Sequence, residues 1–83
     1  MYTADDFNTE NAPKEMVQYV IDHVPDFTNR YMFAHYKMAD RRPLRMADLG
    51  LYSDIHSAMF DWALDNNVSD EEFDEFDIEE IFG

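Results

Sequence analysis

Apolar residues recur at helical spacing along most of this chain and nowhere alternate as they would in a strand. Met16, Tyr19, Val20 and Val24 share one helical face, with Val17 beside them. They predict a helix from Pro13 to His23, capped by Asn11 and ended by Pro25, which forces the residue before it out of the helical region. Phe27, Tyr31, Ala34 and Met38 form the stripe of a second helix, Phe27 to Asp40, with Asp26 or Thr28 as its cap. Met32, Phe33 and Tyr36 widen that stripe, so this helix is expected either to sit centrally or to carry a second contact surface.

Leu44 to Gly50 reads as a short turn, because Gly50 would cost about 1 kcal/mol inside a helix. The third helix is expected from Leu51, or from Asp54 if Ser53 caps it, to Asn66, with Leu51, Ile55, Met59 and Trp62 along one face. Phe60 and Leu64 lie opposite the acids of this helix and predict packing on two sides. Asn66-Asn67 stops it. Ser69 and Glu72 then stand at capping-box spacing, with Val68 placed to staple onto Phe73. A short acidic helix follows, Asp70 to Phe82, whose apolar members are Phe73, Phe76, Ile81 and Phe82. Residues 1–12 show no period and read as an extended arm pinned by Phe7. The expected fold is all-α: three main helices plus a short acidic one, in a single domain over residues 13–83 with an acidic segment at 69–83.

At 83 residues such a domain buries only about 60–65% of the surface its unfolded chain exposes, so its stability margin is expected to be small. The absence of Cys removes disulfides, thiolate metal sites and thiol nucleophiles, and a reducing compartment fits best. Met1 to Glu10 has neither a basic region nor an apolar run, and no stretch approaches the roughly 20 apolar residues of a membrane span. No leader and no membrane association are expected, and the location expected is a cytoplasm.

Charge changes the picture more than size does. Residues 47–83 hold twelve of the nineteen acids and none of the six bases, and so −12 of the formal −13. Taking 100° per residue, Asp54, Asp61 and Asp65 fall within about 40° of one another, a row on one side of the third helix. Asp70, Glu71, Glu72, Asp74, Glu75, Asp77, Glu79 and Glu80 continue the acidity, with Phe73 and Phe76 interleaved. Such a field attracts cationic grooves and repels nucleic acid and anionic lipid, so direct nucleic-acid binding is not expected. The basic cluster Arg41, Arg42 and Arg45 reads as a partner for the acids that follow it, ahead of a phosphate site.

Patterns that would carry catalysis or metal binding fail one by one. An EF-hand loop beginning at Asp65 has Asp70 where Gly is needed and Phe76 where the bidentate Glu belongs; one beginning at Asp70 has Glu75 and Ile81 at those places. His23, His35 and His56 lack any ligand spacing. Ser53, Asp54 and His56 are too close in sequence to form a nucleophile, base and orienter. The two glycines, Gly50 and Gly83, make no phosphate loop. No enzyme activity, cofactor or metal is expected.

Helical carboxylates three or four residues apart stand about 5–6 Å apart, on the scale of neighbouring phosphates. A groove of Lys and Arg built to neutralise phosphates cannot easily tell such a row from its ligand. The competing reading is a solvated face that keeps the chain soluble. In length, lack of Cys, helical pattern and the placing of Asp54, Asp61, Asp65 and the Asp70 to Glu80 acids, the chain resembles small acidic bacteriophage counter-defence proteins, namely DNA-mimic restriction inhibitors and anti-CRISPR proteins. That resemblance implies a non-catalytic inhibitor of a basic nucleic-acid-binding complex, acting in the host bacterial cytoplasm. Colicin immunity proteins are similar in size and acidity, but their Tyr-Tyr-Pro signature is missing. An alternative rests on Glu75 to Phe82, which looks like the acidic, aromatic-tipped tails that recruit partners to single-stranded-DNA-binding proteins, although Gly83 follows the aromatic. In that reading the protein docks on, or neutralises, a basic protein partner. The apolar width of the second helix, with Phe60 and Leu64, leaves a dimer open.

Overall fold

The computed structural model describes residues 1–37 and 48–83. The described residues hold five α-helices: α1 (Lys14–His23), α2 (Phe27–Lys37), α3 (Leu49–Asp65), α4 (Asp70–Asp74) and α5 (Ile78–Phe82), with a 3-10 turn at Ala4–Asp6 before them. Among the described residues there is no strand, and no helix is long and apolar enough to cross a membrane. The all-α expectation therefore holds, with two short acidic helices where one was expected. The expected continuation of α2 through Met38 to Asp40, the side chain of Tyr36 and the cluster Arg41, Arg42 and Arg45 lie outside what is described.

Each boundary has a local cause. Pro13, already extended at φ −61° and ψ 130°, precedes α1 with no side-chain cap, and Asn11, expected as that cap, instead donates from Nδ2 to Glu80 Oε1 at 2.7 Å. Val24 and Pro25 end α1, and Asp26 turns the chain with a left-handed φ of 54° before its carbonyl accepts the Arg30 N–H at 3.0 Å. Helix α3 begins earlier than its apolar period suggests. Asp48 caps it, accepting the Leu51 N–H at 2.9 Å, so Gly50 lies in the first turn, where backbone N–H groups have no intrahelical partner anyway. The expected turn over Gly50 is thus helix.

The end of α3 is fixed by Asn67, whose φ of 56° is left-handed. Its N–H points to the Leu64 carbonyl at 3.5 Å, and the Val68 N–H reaches the Ala63 carbonyl at 3.0 Å. Those two bonds are the Schellman pattern, which satisfies carbonyls that the helix leaves open. Ser69 Oγ accepts the Glu72 N–H at 3.2 Å at the start of α4. Asp77 restarts the helix as α5 by accepting the Glu79 N–H at 3.0 Å.

Helix α1 packs most extensively on α3, and also meets the 3-10 turn and α2. Met16, Val17, Val20, Leu51, Ile55, Met59 and Phe82 are the largest fully buried side chains. Tyr19, expected in the α1 stripe, is only half-buried and stacks on His23 at 3.8 Å between ring centroids, while Val17 and Ile21 complete the buried face. Phe60 and Leu64 are 44% and 62% exposed, so the second packed side expected of α3 is largely open; its buried residues are Leu51, Ile55, Ala58, Met59 and Ala63.

A second body of the core is aromatic. Phe7 packs within 5.0 Å of Phe82 and 5.2 Å of Tyr31, ring to ring, and Tyr2 stands 5.2 Å from Tyr31 and 6.4 Å from Phe27. Phe27 and Tyr31 stack at 5.5 Å on α2. The Tyr31 hydroxyl donates to the Phe82 carbonyl, and burial pushes its pKa up to about 12. The Asn8 N–H reaches the Ile81 carbonyl at 3.2 Å. Residues expected as an extended arm therefore make a helical turn that buries Ala4 and, through Phe7, pack against both α2 and α5. The radius of gyration, 12.1 Å, is close to the roughly 12 Å expected of a compact chain this long.

Candidate functional site

Three helices set out the acids. The α3 row survives as a row in space, since Asp54, Asp61 and Asp65 are all exposed on that helix. Asp54, however, is engaged: Arg30 of α2 donates from Nη1 to its Oδ2 at 2.8 Å and to the Pro25 carbonyl at 3.2 Å. Among the described residues the other ion pair is Lys14–Asp5, remote in sequence from the acidic half. Asp54 thus supplies a structural cross-link between α2 and α3, whereas Asp61 and Asp65 have no ion-pair partner among the described residues.

On α4, Asp70, Glu71, Glu72 and Asp74 are exposed, as is Glu75 just after it. Three of them sit in the first turn, where the helix dipole favours negative charge. Asp77 and Glu80 serve the fold as well as the surface, one capping α5 and the other holding Asn11, and Glu79 is half-buried. Asp61, Asp65 and the acids from Asp70 to Glu75 are thus exposed, whereas Asp54, Asp77 and Glu80 are diverted to internal bonds. Phe73 of α4 packs on the His56 and Phe60 side of α3, roughly 100–180° around that helix from Asp61 and Asp65, so the acids flank α3 on more than one side.

The predicted aromatics lie beside this surface. Phe73 is half-buried between three rings, with centroids 5.6 Å from His56, 5.6 Å from Phe60 and 6.2 Å from Phe76, each ring nearly perpendicular to it. Next to them a cleft of about 430 Å³ opens between α3 and the α4–α5 connection, lined by Tyr52, His56, Phe73 and Phe76 and edged by Asp74 and Glu75. Sequence reasoning missed Tyr52 and His56 as members of this site. Their spacing, i and i+4 on α3, was a legible signal for a shared face, but nothing in it indicates that α4 folds back beside them.

Of the tail-like segment, Ile78, Ile81 and Phe82 are buried, Phe82 at 2% exposure. Its aromatic tip is core and is not presented to a partner. Among the described residues no three His, Asp or Glu side chains gather closely enough to hold a metal ion, and Ser53, Asp54 and His56 diverge, Asp54 toward Arg30 and His56 toward Phe73. No known protein family, curated protein or solved structure matches this chain.

Proposed function

We propose that this protein is a non-catalytic inhibitor that presents its acidic α3–α4 surface, as a nucleic-acid mimic, to the basic groove of a nucleic-acid-binding host defence complex, a CRISPR or restriction effector, in a bacterial cytoplasm. The observation that carries the reading is that Asp61, Asp65, Asp70, Glu71, Glu72, Asp74 and Glu75 are all exposed and that none of them is ion-paired among the described residues. A net charge of magnitude about 2–8 already keeps a small domain soluble; this chain excludes every Lys and Arg over residues 47–83 and accepts the self-repulsion that follows. Phe73 and Phe76 add apolar contact area beside the acids. The alternative, docking through a free acidic-aromatic tail, is weakened by the burial of Ile81 and Phe82, though neutralisation of a basic protein through the same acids remains its nearest relative.

The test is capture from a nuclease-treated bacterial lysate with the tagged protein, washed at low and then high salt. The expected result is one nucleic-acid-binding complex, released by salt and competed by DNA or RNA, because phosphate-type contacts weaken steeply with ionic strength. Asp61→Asn with Asp65→Asn and Glu71→Gln should lower its recovery. A partner that survives high salt and binds no nucleic acid would overturn the mimic reading.

A further inference from the structure

The cleft between α3 and the α4–α5 connection brings aromatic rings and carboxylates together. Its lining is mostly polar: the rings of Tyr52, His56, Phe73 and Phe76 stand among four carboxylates, Asp74, Glu75, Asp77 and Glu80, and among the described residues no Lys or Arg lines it. At about 430 Å³ it falls in the range of about 300–1,000 Å³ typical of ligand sites. An apolar groove alone would take any apolar side chain, and an acidic edge alone would take any cation. Together they select a planar cation, because a guanidinium stacks on aromatic rings while its N–H fork meets a carboxylate, whereas an ammonium is a compact, strongly hydrated point charge. Anions and phosphate are repelled by the same edge.

We propose that this cleft receives an arginine side chain from the basic protein partner, held between the aromatic rings and the Asp74 and Glu75 carboxylates. The proposal rests on the acidic surface being the partner-binding face, and it adds an anchoring point to it. A charge row alone aligns a partner loosely. An arginine seated in the cleft, beside the α4 acids, would fix the partner's register on that row and make the contact specific for arginine-bearing grooves.

The experiment is a titration of the full ¹⁵N-labelled chain at pH 8 with hexa-arginine, hexalysine and an uncharged Gly-Ser hexapeptide, read by amide shifts and by calorimetry. Hexa-arginine is expected to shift the amides of Tyr52, His56, Phe73 and Glu75 and to bind about two- to fivefold tighter than hexalysine, the margin that a partly exposed cation–π contact provides. His56→Ala, an exposed position whose loss does not open the core, should reduce that margin, and Phe73→Leu, which keeps apolar volume, should bring hexa-arginine affinity down to that of hexalysine. Equal affinity for the two basic peptides, or shifts confined to the Asp61 and Asp65 side of α3, would overturn the cleft while leaving the acidic-surface reading standing. Failure of both basic peptides to bind at low salt would overturn both. Equal binding of the Gly-Ser peptide would overturn the cationic assignment, since the cleft would then be a non-selective groove.

Discussion

The Tyr31 hydroxyl carries a polar atom into the aromatic cluster, where its bond to the Phe82 carbonyl ties α2 to α5. Tyr31→Phe leaves that carbonyl without this donor in a nearly dry setting and should cost roughly 1–3 kcal/mol, read as a lower denaturant midpoint. The same side chain gives an alkaline limit. Its pKa is pushed up to about 12 by burial, against about 10 in an unfolded chain. The folded state then holds a proton that the unfolded state gives up, so stability should be intact below pH 10 and fall as pH rises from about 10 through about 12. Unfolding curves across that window should be steeper in pH for the natural chain than for Tyr31→Phe. Gly50 offers the opposite kind of change. Among the described residues a methyl group there would meet Asp48 Oδ1 at 3.4 Å and Arg30 Nη2 at 3.9 Å, ordinary contacts, so Gly50→Ala should stabilise α3 by about 0.4–1 kcal/mol in equilibrium unfolding.

Among the elements, α5 carries more of the fold than its five residues suggest. Phe82→Ala removes a fully buried ring from the aromatic cluster and should cost about 3–5 kcal/mol, enough to unfold a domain of small margin; circular dichroism at 25 °C would register lost helix. By contrast Leu64→Ser, on the exposed side of α3, should stay within about 0.5 kcal/mol. The sequence pattern made helices α1, α2 and α3 legible because each carries a long apolar period, and the stops at Pro25 and Asn66-Asn67 because their chemistry is local. What it hid depends on distant residues. Asn11 looked like a cap because Glu80, its partner, is sixty-nine positions away. Phe82 looked like an exposed tip because the pocket that buries it is assembled from Phe7, Phe27 and Tyr31. Gly50 looked like a break because its cost was judged for a helix interior, not for a capped first turn. The acidic residues of the candidate site were legible as a set, since charge is a property of composition; their division into exposed groups and groups spent on Arg30, Asn11 or a helix start was not.

Across the whole molecule, repulsion among like charges works against the packing just described. With a formal charge of −13, the chain should gain stability from added salt, which shortens the range of that repulsion to about 8 Å at physiological ionic strength. Calorimetric melts in rising NaCl should move upward, by roughly 4–8 °C for each kcal/mol relieved. A downward shift would mean that the acids are held in ion pairs that salt weakens, as pairing with Arg41, Arg42 and Arg45 would produce. The meeting of residues 2–8 with residues 81 and 82 has a further consequence, for synthesis. Chains generally begin to fold from the earlier-made side as they are translated, but here Phe7 lacks part of its seat until Phe82 has been made. A nascent chain stopped at Asp77 would hold every acid but Glu79 and Glu80 and lack the α5 residues on which Phe7 seats, so the aromatic cluster should close only after α5 is made, later than the packing of α1 on α3.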